Sequence, residues 1–468
     1  MCVSIDNIRS RVVEYNYKAW FGRKKEVYVM KKVVSLLLVF VMGFVFSACS
    51  VNPDKYSLAG AAKAMAVQHF DTNQEGYKEF MDKLDAFAAK LTHEVYSDSD
   101  KQANICISPV SVYMALALAV ECAEGNTREE ILSAVGVTYD EVWNFTKVLY
   151  GFSNREYYYT DMKANKEILA FEELANSIWV DESTTLKEDV IDSLSNNYNC
   201  DLFSVDFKTN EGAKAINAYI KEKTHGIING DIEFSPETLF TIINTFYLKE
   251  VWNRYGKDLT LTDKAYDFKA VNGSVTSTRL LRGYYQEGKA YEGEGYTAFY
   301  TKTAHGVAIK FIVPDDERSL SEVFTASNLY GVNNIADYGH VDEENKLLHY
   351  TRVLFPEYKA SFDGDLKSIL KNDFGINELF DLSACDFSKA TDVEQIACDG
   401  VVHKCSVDVN KTGIEGAAVT VMPAAGAGAP LEGYEEVYHE FVVDRAFGFV
   451  MTDSNGTVIF SGVVNGLK

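Results

Sequence analysis

The chain has 468 residues, of which 47% are hydrophobic and 24% are charged, enough to form a large core in one or two domains. Its formal net charge is -23, and because residues 1–49 carry eight Lys or Arg and three Asp or Glu, the remainder has a net charge of -28. Such a surface repels nucleic acid and heparin-like polyanions, which excludes both as partners.

The N-terminal region has the pattern of a secretory signal. Two lysines precede an apolar run over residues 33–46, which is shorter than a membrane-spanning helix and ends just before Cys49. This ending resembles a bacterial lipobox, in which cleavage leaves the cysteine as the lipidated first residue, although Phe46 stands where leucine is usual. We predict a lipoprotein signal peptide over residues 30–48 and lipidation at Cys49. A simple cleaved signal is the alternative.

The ends of this region set the predicted domain boundaries. Residues 1–29 fit neither a signal nor a folded element, and the codons of residues 25–27 can contain a purine-rich ribosome-binding sequence. We therefore predict that translation starts at Met30. Two or more acyl chains at Cys49 would anchor the mature protein stably to a membrane outside the cell; without them it would be extracellular and soluble. Residues 49–75 are predicted to be a spacer and residues 76–468 a folded domain.

The first half of the domain is predicted to be mainly helical. An amphipathic helix starts near Tyr77, with an apolar residue at every third or fourth position. A second helix enters through Ser108 and Pro109 and ends near Cys122. Residues 127–135 and 217–224 are further helices, the former with a threonine cap at its start. The apolar positions of the first helix are Phe80, Leu84, Phe87, Leu91 and Val95.

The remaining segments of the domain are predicted to be mainly strands. Residues 169–179 carry mixed helix and strand signals, and residues 238–248 have the composition of a buried strand. Strands dominate from Val275 onward, interrupted by helical stretches at residues 319–324 and 365–374. Helices followed by sheets indicate an α+β architecture.

The cysteines and histidines predict neither disulfides nor a metal site. Cys398 and Cys405 stand seven positions apart in an extended segment, roughly 20 Å at strand rise, which is too far for a disulfide. The eight histidines lack ligand spacing, so we expect no metal and no cofactor. We predict buried free thiols at the six cysteines that follow Cys49, namely Cys106, Cys122, Cys200, Cys385, Cys398 and Cys405.

The most informative segment is a run of small residues over positions 413–430, between strand-like residues 401–409 and 440–464. Its composition is that of a loop, whereas the first half also alternates like a buried strand around Val419 and Val421. A segment able to adopt either structure is a candidate conformational switch.

This segment begins with Gly413, Ile414, Glu415, Gly416, Ala417 and Ala418, which together resemble the hinge of a serpin reactive-centre loop. The resemblance covers roughly residues 77–465 and consists of several motifs in the family's order, which makes it specific. The other matching segments are residues 104–112 with 115–117, 124–127, 244–249 with Trp252, 311–315, 403–404, 444–447 and 460–464.

The resemblance implies a fold and a set of site residues. The fold is one of helices packed on three β-sheets, with an exposed reactive-centre loop at about residues 411–436. Residues matching the family's shutter, a polar cluster under the central sheet, are Ser108, Ser111, Asn244 and His403. Residues matching its breach, where loop insertion begins, are Lys249 and Trp252.

The implied activity is protease inhibition by a suicide substrate, whose cleaved loop inserts into the central sheet while still acylated to the protease. Alternate residues of an inserted strand face opposite sides. Ile414, Gly416, Ala418, Thr420 and Met422 form one set, which contains no charge and suits burial. The only charge of the other set, at Glu415, would face solvent. Ile414 and Gly416 depart from the usual small hydroxyl residue and alanine, and the bulk of Ile414 could slow the first step.

The scissile bond is predicted from the family's nearly fixed distance beyond the hinge glycine, which gives Ala427 and Gly428. Counting back from the C-terminal motif gives a position near Glu435 instead, because the loop is about eight residues longer on that side. Small residues around Ala427 match elastase-like or subtilisin-like serine proteases, and cysteine proteases are also possible targets. No Lys or Arg occurs from residue 412 to 444, which excludes trypsin-like targets. We expect a monomer.

Three alternatives remain open from the sequence. A non-inhibitory binding protein could share the serpin fold. The loop could also be a flexible linker that proteases cut without being trapped. An envelope hydrolase would use one of Ser108, Ser111 and Ser461 with His403 as base, but none of these serines lies in a Gly-x-Ser-x-Gly elbow. The leading hypothesis is therefore an inhibitor and not an enzyme.

Overall fold

The structure, a computed structural model, describes most of the predicted domain. The predicted N-terminal extension, signal peptide and lipidation residue Cys49 lie outside the described residues. So do four of the six hinge residues, Glu415 to Ala418, and the predicted scissile residues Ala427 and Gly428. The described residues are 52–58, 76–152, 154–160, 166–228, 232–252, 258–285, 289–315, 318–329, 336–337, 341–342, 344–414 and 435–467.

Two short 3-10 turns, Pro53–Tyr56 and Glu378–Phe380, accompany the α-helices. The helices of the described residues are α1 (Tyr77–Asp98), α2 (Pro109–Cys122), α3 (Gly125–Val135), α4 (Tyr139–Phe152), α5 (Glu188–Asn197), α6 (Asn210–Lys223), α7 (Leu320–Val323), α8 (Ala326–Leu329) and α9 (Lys367–Asn372). Among these, no helix is both long enough and apolar enough to cross a bilayer.

The two helices predicted first form as expected. In α1 all five predicted apolar positions are buried, because their spacing of three or four residues places them on one face. Helix α2 starts with Pro109 in its first turn, where the missing N–H costs no hydrogen bond. All of its residues are buried, so it is a central helix of the core.

Helix α3 differs from its prediction at the N-terminus. It begins at Gly125 and not at Thr127, and Glu124 occupies the N-cap position. The Thr127 hydroxyl donates to Glu378 Oε2 at 3.1 Å and accepts from the backbone N–H of Asp386 at 3.0 Å. The predicted threonine cap is therefore wrong, since tertiary contacts occupy its hydroxyl.

The central sheet has the strand order β15-β16-β17-β5-β3-β2, with β4 also paired to β3. Strands β3 and β5 form its longest antiparallel ladder, and β3 and β4 are parallel. Its strands are β2 (Asn154–Thr160), β3 (Lys166–Asp181), β4 (Cys200–Val205), β5 (Phe240–Val251), β15 (Tyr358–Asp365), β16 (Val401–Asn410) and β17 (Gly413–Ile414).

Two further sheets and a two-stranded ribbon complete the described β-structure. The second sheet has the order β1-β20-β19-β11-β10-β9-β12, and the third contains β13, β14 and β18 with β8 paired to β14. The ribbon is β6 with β7. Their strands are β1 (Ile105–Ile107), β6 (Tyr266–Lys269), β7 (Val275–Thr278), β8 (Leu281–Tyr285), β9 (Lys289–Gly293), β10 (Tyr296–Lys302), β11 (Ala308–Pro314), β12 (Ala336–Asp337), β13 (Val341–Asp342), β14 (Leu347–Phe355), β18 (Glu435–Val442), β19 (Phe447–Thr452) and β20 (Val458–Val464).

The predicted α+β class with three main sheets is confirmed, but the order of elements is less segregated than expected. Strands β1 to β4 all lie in the first half of the chain, between helices. The ambiguous residues 169–179 belong to β3, because that strand pairs on both edges and its side chains are largely buried. Part of the predicted spacer also packs on the domain, since the Leu58 N–H donates to the Leu202 carbonyl of edge strand β4 at 2.8 Å.

The two faces of the central sheet have different neighbours. Even-numbered residues of β3 and β5 point inward, where α2 packs. Odd-numbered residues point outward, where Trp179 stacks on Phe203 at 4.0 Å between ring centroids and meets Tyr219 of α6 edge-on. The six cysteines after Cys49 are all free thiols, as predicted, and only Cys385 among them is not fully buried.

A test of the core uses Phe80, which is 1% exposed and stacks on Phe145 at 3.4 Å between ring centroids, joining α1 to α4. We expect Phe80→Ala to destabilise the native state by about 3–5 kcal/mol, since it removes a buried ring and leaves a cavity. Denaturant unfolding followed by circular dichroism measures the effect. Val275→Ala, at a 58% exposed position, is the control and should change stability by less than about 0.5 kcal/mol.

Candidate functional site

The first two residues of the predicted hinge form the two-residue strand β17 at one end of the central sheet. On one side Gly413 and Ile414 pair with Asn410 and Val409 of β16. On the other side they pair, also antiparallel, with Val251 and Glu250 of β5. The start of the hinge therefore occupies a strand position inside the sheet.

Both hinge residues suit this position. A Cβ atom on Gly413 would lie 1.9 Å from the Glu250 carbonyl oxygen, so the close approach of β17 to β5 requires glycine. The Ile414 side chain is 1% exposed and points inward. The core thus accommodates the large Ile414 side chain, although we had expected from the sequence that its bulk could slow the first step of loop insertion.

β17 separates β5 from β16 at one end only. At the other end of this gap, β5 and β16 pair directly with each other. Val401 is paired with Ile242, and Val402 with Ile243, in a short parallel ladder. β5 and β16 are consequently paired with each other at one end and separated by β17 at the other. A strand continuing from Ile414 would have to part this parallel pair.

The predicted breach residues lie at the β17 end. The indole N–H of Trp252 donates to the carbonyl of Asn410 at 2.7 Å, which links the ends of β5 and β16 across β17. The Trp252 ring also packs edge-on against Phe355 of β14. Lys249 pairs with Phe171 on the outer face of the sheet, so the two breach residues lie on opposite faces.

The four predicted shutter residues lie in the middle of the sheet as two pairs. Ser111 of α2 donates to Asn244 Oδ1, and the Asn244 amide in turn donates to Asn176 Oδ1 of β3. His403 Nε2 accepts from the backbone N–H of Ser108 at 3.1 Å. All four residues are buried, and the strand member of one pair belongs to β5 while that of the other belongs to β16. Separation of β5 from β16 would move the pairs apart.

The geometry gives no support to the hydrolase alternative. His403 bonds to the backbone of Ser108 and not to its hydroxyl, which has no hydrogen-bond partner among the described residues. The hydroxyl of the third candidate, Ser461, is bonded to Thr92 of α1. Across the described ranges, none of these serines contacts His403 in the manner of a nucleophile and its base.

The sequence reading missed Glu250, a buried carboxylate beside the hinge. Its side chain is 1% exposed, and Oε1 lies 2.8 Å from His305 Nδ1. Oε2 has no hydrogen-bond partner among the described residues. The His305 ring stacks on Tyr157 of β2, with centroids 4.1 Å apart. The available signal was a glutamate at an inward position of a strand whose other inward residues, except Asn244, are apolar.

A second buried carboxylate, Glu172 of β3, lies on the same inner face. The pKa of Glu172 is raised to about 8, chiefly by burial and also by the nearby negative charges of Asp453 and Glu250, while Arg155 opposes these effects. The pKa of Asp453 is also raised, chiefly by burial. The interior next to the hinge therefore disfavours negative charge.

Glu172 predicts a dependence of stability on pH. Because its pKa is raised in the folded state, the native protein binds this proton more tightly than the unfolded chain does. Its contribution is present below the ordinary carboxyl pKa and is lost as pH rises through about 8. We expect Glu172→Gln and the unmodified protein to melt at similar temperatures at pH 5, close to the ordinary carboxyl pKa, and to diverge progressively above it. At pH 9 the variant should melt several degrees higher.

Thermal melts between pH 5 and pH 9 measure this difference. The matched control is Glu188→Gln, which changes an exposed glutamate at the start of α5 and should leave the pH profile unchanged. Parallel profiles for Glu172→Gln and the unmodified protein would contradict the assignment.

The chain was compared with known families, curated proteins and solved structures. The family described as Serpin (serine protease inhibitor) matches residues 82–466. An uncharacterized serpin-like protein of Methanosarcina acetivorans is 27% identical over 393 residues, which cover 80% of this chain and 84% of that protein.

Solved structures share the fold. The thermophilic serpin tengpin in its native state superimposes with a TM-score of 0.67 at 22% identity, covering 89% of this chain and 99% of tengpin. Thyroxine-binding globulin in complex with thyroxine gives a TM-score of 0.63 at 17% identity, covering 83% and 99%. With the family match spanning most of the domain, the chain belongs to the serpin family.

Proposed function

We propose that this protein inhibits serine proteases as a suicide substrate whose cleaved loop inserts between β5 and β16. The observation that carries the proposal is the position of β17, because Gly413 and Ile414 already pair with both strands that would flank the inserted segment. Most serpins are protease inhibitors, which supports this activity for a member of the family.

The registers of β17 define where each later residue would lie. Continuing both ladders from Ile414, Gly416 would lie between Leu248 and Val407, and Met422 between Ile242 and Val401. Ile242 and Val401 are the residues that pair with each other at the closed end. The segment from Glu415 to Met422 therefore matches the length of the gap, and Pro423 would fall near the start of β5, where a missing N–H costs little.

The same count places Thr420 between Asn244 and His403, one member of each shutter pair. Its inward hydroxyl could both donate and accept hydrogen bonds there. An insertion that separates the two pairs would thus supply a polar group between them, and it would avoid leaving buried polar atoms unpaired.

Insertion would be strongly favourable. A new central strand of eight residues forms ladders on both sides, and at roughly 1 kcal/mol net for each hydrogen bond the gain is on the order of 10 kcal/mol, before side-chain burial is added. Uncleaved, the loop is held at both ends, because β18 anchors its far side in the third sheet. Cleavage removes that constraint and releases the stored free energy.

In this mechanism the protease is arrested as an acyl-enzyme, after it has cleaved the loop and before hydrolysis releases it. The serine hydroxyl of the protease attacks the carbonyl carbon of Ala427, the peptide bond breaks, and the amine of Gly428 leaves with the proton. The protease is then an ester of Ala427. Insertion carries the esterified protease along the sheet and distorts it before water can hydrolyse the ester.

The proposed targets are elastase-like or subtilisin-like serine proteases, since Ala427 and its neighbours fit shallow pockets and no basic residue occurs from position 412 to 444. We further propose that Cys49 is lipidated after removal of the signal peptide, which would hold the inhibitor at a bacterial cell surface. The high negative charge of the domain supports a protein partner and not nucleic acid.

A second candidate function is a non-inhibitory binding protein. It is favoured by a cavity of about 220 Å³ between α1 and the second sheet, lined by both apolar and polar residues. Two charged side chains face this cavity. Burial raises the pKa of Asp85 to about 7 and lowers that of Lys310 to about 8. One structural neighbour of this chain was solved in complex with thyroxine, a small molecule.

Trapping is tested directly with an elastase. We expect a complex that resists SDS, with a mass near the sum of the two proteins, and a released C-terminal fragment whose sequence starts at Gly428. Mass spectrometry and N-terminal sequencing measure both. Cleavage of the loop without such a complex would overturn the inhibitory function, and a fragment starting near Glu435 would move the scissile bond.

The alternation of inward and outward side chains along the inserted strand supplies a sharper test. Thr420→Arg would place a charge in the interior between Asn244 and His403, so we expect this variant to be cleaved by elastase without forming the complex and without a large rise in melting temperature. The matched control is Val421→Arg, which places the same charge on the outer face and should still form the complex. Equal trapping by the two variants would contradict insertion in this register.

A further inference from the structure

An aromatic and cationic patch lies on the third sheet, immediately beyond the reactive loop. Tyr350 of β14 stacks on Tyr438 of β18, with ring centroids 5.6 Å apart and an interplanar angle of 26°. The Arg352 guanidinium lies over the Tyr438 ring at 4.0 Å and pairs with Glu440 at 3.2 Å. We call Tyr350, Arg352 and Tyr438 the tyrosine patch.

The tyrosine patch is partly exposed to solvent and firmly supported. Tyr438 is 36% exposed, which is unusual for a large ring in this protein, and the Arg352 side chain is 21% exposed. On the opposite face of the same strands, Val353 is 1% exposed and Phe441 stacks on Phe299 of the second sheet at 5.2 Å. Eight consecutive residue pairs join β14 to β18, so the patch is held in one geometry.

The patch lies within reach of a protease bound to the loop. Glu435, the first residue of β18, stands seven positions after Gly428, a span of at most about 25 Å when fully extended. A protease domain of about 200 residues has a radius of gyration of about 16 Å, hence a diameter of about 40 Å. Its cleft must receive the loop, so its body would cover surface on both sides of the scissile bond.

We propose that the tyrosine patch is a second contact surface for the target protease, used in addition to the scissile loop. This inference rests on the proposed inhibitory function. Tyrosine and arginine are the side chains most often found at the energetic centres of interfaces. Because the two rings and the guanidinium are already stacked, binding orders few additional rotamers. The partner is a serine protease of small-residue specificity that presents an apolar surface beside its cleft.

The test measures non-covalent binding of the protease separately from its covalent trapping. An elastase whose nucleophilic serine is replaced by alanine binds the loop without cleaving it, so its affinity for the intact inhibitor can be measured by surface plasmon resonance. We expect the double variant Tyr350→Ala with Tyr438→Ala to bind at least tenfold more weakly than the unmodified protein. Tyr350→Phe with Tyr438→Phe, which keeps both rings, should bind within threefold.

The matched control is Trp143→Ala, which removes an equally exposed ring that also carries a cation, Lys147, at 3.1 Å from its centroid on α4. Its affinity should not change, and melting temperatures check that every variant is folded. Binding by the double alanine variant within twofold of the unmodified protein would overturn the proposal, as would an absence of binding by the unmodified protein. A patch-dependent affinity without any covalent complex from active elastase would support the patch while removing the inhibitory function.

Discussion

The architecture of the site depends on a single contact between two strands. Strands β5 and β16 pair directly at Val401 with Ile242 and at Val402 with Ile243, and they are parted by β17 at their other ends. A parallel ladder of two residue pairs is short, and an antiparallel strand filling the same gap would pair along both edges. The described sheet therefore contains the position for one more strand, already started at one end.

The interior along this path is unusually polar for a protein core. Glu250 and Glu172 lie near the β17 end, and Asn244, Asn176 and His403 lie in the middle. Buried polar groups without full hydrogen bonding reduce stability, so a core selected for stability alone would contain apolar residues here. Their presence is consistent with a structure that must exchange its partners when a strand enters.

Much of this was accessible from the sequence. The spacing of Phe80 and Leu84 predicted α1 and its buried face, and Pro109 marked the start of α2, because helical periodicity and helix-start signals are local properties. The motif at Gly413 predicted a hinge, and the structure shows that Gly413 and Ile414 form β17. The cap of α3 was not predictable, since Thr127 is engaged by residues some 250 positions away. The pairing of β17 with both neighbours and the burial of Glu250 depend on strand register, which no local pattern specifies.

One hydrogen bond spans the gap between β5 and β16 at the β17 end. The indole of Trp252 reaches the carbonyl of Asn410, each at the end of its own strand, and Gly413 passes between them. This hydrogen bond joins β5 to β16 at the end where β17 keeps them one strand apart. The two strands are already parted there, so under the proposed inhibitory mechanism the barrier to insertion would lie at the opposite end of the sheet, and the rate of trapping would depend on how fast two parallel residue pairs separate.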